Sequence, residues 1–68
     1  MPLEGTYWKC DGDGAPPMQP FVIVKEFEKS LELRDFSGFV SDLRTVNLKK
    51  FCREMTKSEV IREKLKNG

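Results

Sequence analysis

The sequence predicts a small α+β domain, a three-stranded antiparallel sheet followed by two short C-terminal helices in the order βββαα. Three observations lead there. The first half carries three β-prone runs separated by turn residues, GTYWKC at 5–10, FVIVKEF at 21–27 and LELRDF at 31–36. Leu48, Phe51, Cys52 and Met55 recur at spacings of three, four and seven, which puts them on one face of a helix. Directly after them, Thr56, Lys57, Ser58 and Glu59 fit the capping box, in which Thr56 and Glu59 bond each other's backbone amides and a second helix begins.

The strands follow from their side-chain patterns. In 5–10, Thr6, Trp8 and Cys10 fall on one side, Tyr7 and Lys9 on the other. DGDG at 11–14, with Ala15, Pro16 and Pro17 after it, is the strongest turn signal, and the loop extends to Pro20. The run 21–27 opens on four consecutive apolar residues, as expected of a central strand covered on both faces. In 31–36, Leu31 and Leu33 alternate with Glu32 and Arg34, a half-exposed strand antiparallel to its predecessor because the link at 28–30 is short. Ser37 and Gly38 break the pattern. FVSDLRTV at 39–46 fits a further strand, a helical turn or the approach to the main helix. That helix starts near 46 and continues through Met55, with Lys50 and Glu54 four apart on its exposed side. The second helix carries Val60, Ile61 and Leu65 and ends at Asn67 and Gly68, so the pair forms a helical hairpin.

Sixty-eight residues make a single domain, 1–68, near the lower limit for folding alone, since a chain this short buries only about 60% of its unfolded surface. The net charge of +1 argues against a uniformly basic nucleic-acid coat protein. Residues 1–34 hold four basic against six acidic residues and 35–68 hold eight against five, so the basic charge gathers at the C-terminal end. Cys10 and Cys52 are the only cysteines. With no histidine they cannot complete a four-ligand zinc site, and two thiols are their default state. A bridge between them forms if the first strand packs on the main helix. No apolar run reaches the length of a membrane span and MPLEGTY lacks the pattern of a signal peptide, which leads us to expect a soluble, intracellular protein, cytoplasmic or nuclear.

Catalysis is not expected. There is no histidine, the carboxylates are spread over turns and solvent faces, and nucleophile-elbow, P-loop and dinucleotide patterns are absent. No cofactor or metal is expected either. Asp11 and Asp13 suggest a calcium loop, but Pro16 and Val22 stand at the sixth and twelfth positions, where glycine and glutamate are needed. The expected function is that of a small non-catalytic binding module. Its protein partner engages a sheet edge or a surface made by Tyr7, Trp8, Pro16, Pro17 and Pro20. The alternatives are a nucleic-acid-binding protein using Lys49, Lys50, Arg53, Lys57 and Arg62 on the basic helices, and a structural subunit of a larger assembly. A homodimer is compatible with each.

MTKSEVIREKL at 55–65 resembles the turn and second helix of the ribbon-helix-helix DNA-binding family, and LKKFCREM before it is similar to the end of that family's first helix. LELRDF would take the place of the ribbon strand. The resemblance implies an intertwined dimer with Glu32 and Arg34 facing the major groove and the amides of 56–58 against a phosphate.

Overall fold

A computed structural model of the chain describes residues 3–11, 14–15 and 18–67. Expectations resting on Gly12, Asp13, Pro16, Pro17 and Gly68 fall outside those residues. The elements are β1 (Tyr7–Cys10), β2 (Phe21–Glu26), β3 (Ser30–Asp35), β4 (Val40–Arg44), α1 (Thr45–Phe51), β5 (Cys52–Glu54) and α2 (Lys57–Asn67). The α+β class stands, but the sheet has five strands, in the order β4-β3-β2-β1-β5, with every neighbouring pair antiparallel. The three-stranded βββαα order is therefore corrected at two places.

First, the open segment at 39–46 supplies β4. Asp35 makes the reversal: its Oδ1 accepts bonds from the Ser37 amide at 2.9 Å, the Ser37 hydroxyl at 2.7 Å and the Phe39 amide at 2.9 Å. Gly38, at φ +95°, adopts a backbone conformation that side-chain-bearing residues avoid. The chain can then return along β3.

Second, the main helix stops at Phe51 rather than running on through Met55. Cys52–Glu54 is a strand that pairs with β1 in the register Trp8↔Glu54, Lys9↔Arg53 and Cys10↔Cys52. Cys10 and Cys52 are bridged, so the thiol state is corrected as well. The bridge and ladder hold residues 52–54 extended where the helical spacing alone would continue the coil. No helical hairpin forms, because β5 separates the two helices, and Glu54 is not on a helix with Lys50.

Phe21, Ile23, Leu31, Leu33 and Leu48 are fully buried, with Cys10 beside them and Trp8, Leu43, Cys52, Leu3, Ala15 and Met18 packed around. Leu48 and Met55, two members of the predicted apolar stripe, are buried even though the helix ends between them. β2 is central, as its apolar run implies. Val24 interrupts the β2–β3 register, a bulge that bends and twists the pair. The sheet must curl. Seven helical residues carry the chain from Arg44 to Cys52, a span of about 12 Å at 1.5 Å per residue, whereas a flat five-stranded sheet would separate its edges by about 19 Å. α1 thus spans the gap between the two edge strands.

Candidate functional site

The hydrogen-bond phase of the ladders decides which backbone groups remain open. Asp35 N–H donates to Phe39 C=O at 3.0 Å and Thr45 N–H to Lys29 C=O at 3.2 Å, one bond beyond each end of the β3–β4 pair. Because successive residues of a strand point their amides to opposite sides, Ser41 and Leu43 face β3. Val40, Asp42 and Arg44 face away from the sheet. Their side chains are exposed too. The other edge is less open. Met55 N–H donates to Tyr7 C=O at 2.9 Å, which by the same alternation turns Cys52 and Glu54 outward. The Cys52 amide, however, caps α1 by donating to Leu48 C=O. β4 is therefore the longer and less obstructed edge.

Two side chains on that edge sit in locally unfavourable places. Asp42 stands directly opposite Glu32, and Glu32 opposite Lys25, so a row Lys25–Glu32–Asp42 crosses β2, β3 and β4 with like charges adjacent at its outer end. Arg44 is the N-cap residue of α1, where it makes no side-chain capping bond. Ser, Thr, Asp or Asn would cap there, and the helix dipole disfavours a cation at that end. Neither Asp42 nor Arg44 makes an ion pair among the described residues.

The residues singled out in the sequence are dispersed. Trp8 turns to the core face, and its indole N–H donates to Thr6 Oγ1 at 2.8 Å. Tyr7 is on the opposite face, stacked on Phe36 with ring centroids 5.6 Å apart and with Lys64 Nζ 5.2 Å above its ring. The structure does not bring Tyr7 and Trp8 to one surface, and Pro16 and Pro17 lie outside the described residues.

Among the basic candidates, Lys49 and Lys50 are exposed on α1, with Lys50 Nζ 5.2 Å over Phe51. Lys57 and Arg62, five apart on α2, project about 140° from each other around the helix. Arg53 is committed. Its guanidinium makes two bonds to the Glu59 carboxylate, at 2.9 and 2.8 Å, and a third to Asp11 at 3.3 Å. Held by Arg53 first and by the Thr56 amide second, Glu59 is lowered from 4.5 to about 2. The same Glu59 completes the predicted capping box: it accepts from Thr56 N–H at 2.9 Å and donates its own amide to Thr56 Oγ1 at 3.2 Å.

Glu32 and Arg34 lie on β3, which is paired on both sides within the chain. Among the described residues no group of three or more His, Cys, Asp or Glu is placed to hold a metal ion, and no helix is long and apolar enough to cross a membrane. Sequence reasoning missed the β4 edge because its only signal, Ser41 and Leu43 alternating with Val40, Asp42 and Arg44, puts a serine inside and a valine outside. The chain matches no protein-family model, no curated protein and no solved structure.

Proposed function

We propose that this chain is a non-catalytic protein-binding module that takes an extended segment of its partner as an added strand along β4. The observation that carries this reading is the outward row of Val40, Asp42 and Arg44, an edge whose amides and charged side chains have no partner among the described residues. Backbone bonds along such an edge supply affinity, and alternate side chains supply selectivity. The fitting segment places a basic side chain opposite Asp42 and an acidic one opposite Arg44, two residues apart. Opposite charges in these positions relieve the Asp42–Glu32 repulsion and give Arg44 the carboxylate that α1 does not.

Proline at an edge position tests this directly. The Asp42 amide points outward, so Asp42→Pro removes a bond to the partner without removing one to β3. Extended peptides reading acidic-apolar-basic from N- to C-terminus, which pair antiparallel with Arg44 and Asp42, are titrated against isotope-labelled chain and are expected to shift the amides of residues 40–44. The same titration of Asp42→Pro is expected to give no binding while thermal unfolding stays close to that of the parent. Undiminished binding by the proline variant, or shifts centred on Tyr7 and Phe36, would replace this reading with another.

A further inference from the structure

The fitting segment just described is present in the chain itself, and we infer that β4 pairs with β4 of a second copy across a two-fold axis. The inference rests on the edge-binding reading and names its occupant. Asp42-Leu43-Arg44, laid antiparallel against itself, sets Asp42 opposite Arg44 of the second copy and Arg44 opposite its Asp42, with the two Leu43 residues meeting on the axis. The backbone phase agrees. Asp42 and Arg44 are both outward-facing, so each Asp42–Arg44 pair is a hydrogen-bonded pair. The Arg44 N–H donates to the facing Asp42 C=O. The Asp42 N–H reaches the facing Arg44 C=O, which uses one lone pair for the first turn of α1 and keeps the second.

Other registers are poorer. Centring the axis on Asp42 sets two carboxylates face to face in a row that already holds Glu32, and centring it on Arg44 does the same with two guanidiniums beside two helix N-termini. In the chosen register the charge row reads Lys25, Glu32, Asp42, then Arg44 and Ser30 of the second copy. The cation that is misplaced as a cap for its own helix becomes the counter-ion of the neighbour's surplus carboxylate. Two five-stranded sheets join into one of ten, and Val40, 48% exposed, lies at the margin of the seam. The contact is small, and pairing of this extent makes a weak dimer governed by concentration and salt.

Charge reversal across the seam gives the test. Sedimentation velocity of the full chain, from micromolar to millimolar at low salt, is expected to show a weight-average mass rising from one chain toward two. Asp42→Arg and Arg44→Asp are each expected to abolish that rise, the first by facing arginine with arginine and the second by facing aspartate with aspartate. The double exchange restores complementarity and is expected to restore the dimer. Misfolding does not cloud the result, because Arg44→Asp installs a favoured helix cap and is expected to raise the melting temperature while it removes the dimer. A parent chain that stays monomeric throughout overturns the inference, as does a dimer indifferent to all three variants. The edge-binding reading is judged separately: a monomeric chain that takes the acidic-apolar-basic peptide on residues 40–44 loses only self-pairing, and one that does not loses both.

Discussion

Arg53 lies between two carboxylates that approach from different parts of the chain, Asp11 just after β1 and Glu59 in the first turn of α2. Its role therefore depends on protonation of those carboxylates. Because Glu59 is held at about 2 in the fold, against about 4.3 in an unfolded chain, its contribution is complete above the unfolded value. It is lost as pH falls toward the folded one. Asp35 has the same sign, its carboxyl lowered chiefly by the Ser37 hydroxyl and then by the Phe39 amide. A carbon-detected titration is expected to show Glu59 ionising near 2, with the Thr56 and Glu59 amides losing protection over the same range. A Glu59 carboxyl that titrates at the ordinary value of 4.5 would mean that the bridge to Arg53 is not made. Only half of this cluster was legible in the sequence. Thr56 and Glu59 are three residues apart, and their exchange of bonds is a local event that the chain dictates wherever it folds. Asp11 and Arg53 are brought together by the pairing of β1 with β5, so Arg53 read as an available cation until that pairing was known.

The same non-local pairing explains the elements. Leu48, Phe51, Cys52 and Met55 satisfy a helical period, but a short apolar run cannot by periodicity alone separate a helix from a helix that gives way to a strand. What decides it is Cys10, opposite Cys52 in the ladder and bonded to it. A strand of three residues has almost no pattern of its own, and β5 is held to the sheet by its partner and by the bridge. In the chain-entropy picture, closing a loop over 42 positions contributes about 4 kcal/mol. Replacing both cysteines by alanine is expected to lower unfolding free energy by roughly that amount, and the amides of β5 and the end of α1 are expected to exchange first. Reductant should reproduce the loss in the parent and leave the alanine pair unaffected; equal melting temperatures for the oxidised and reduced parent would show that the ladder holds β5 without the bridge.

At the scale of the molecule, the curled sheet encloses its core on one face and leaves α2 outside it. Alternation in 31–36 was enough to put Leu31 and Leu33 on one face, because that strand's two faces differ sharply in polarity, whereas the unbroken apolar run at 21–24 marks a central strand without saying which face Ile23 takes. The closure of the sheet by β5 was not legible, because it depends on which distant strand accepts the last one. α2 is anchored at its start by the Arg53–Glu59 pair and along its length by Lys64 over Tyr7, while Ile61 and Leu65 remain 58% and 78% exposed. Its predicted apolar stripe thus contributes little to the core. Stability should divide accordingly. A chain of this size holds roughly 3–10 kcal/mol in all, at about 0.05–0.15 kcal/mol per residue. Leu33 is fully buried between Ile23 of β2 and Ser41 of β4, and Leu33→Ala is expected to cost about 2–5 kcal/mol, enough to leave much of the population unfolded at room temperature. Leu65→Ser removes an apolar side chain that is already in water, and its effect on the cooperative transition is expected to lie within about 0.5 kcal/mol of zero. Denaturant titration of the two variants beside the parent separates the cases. A large loss from Leu65→Ser would place α2 against an apolar surface within the cooperative fold, and a small one from Leu33→Ala would mean that the curled sheet is not where the core lies.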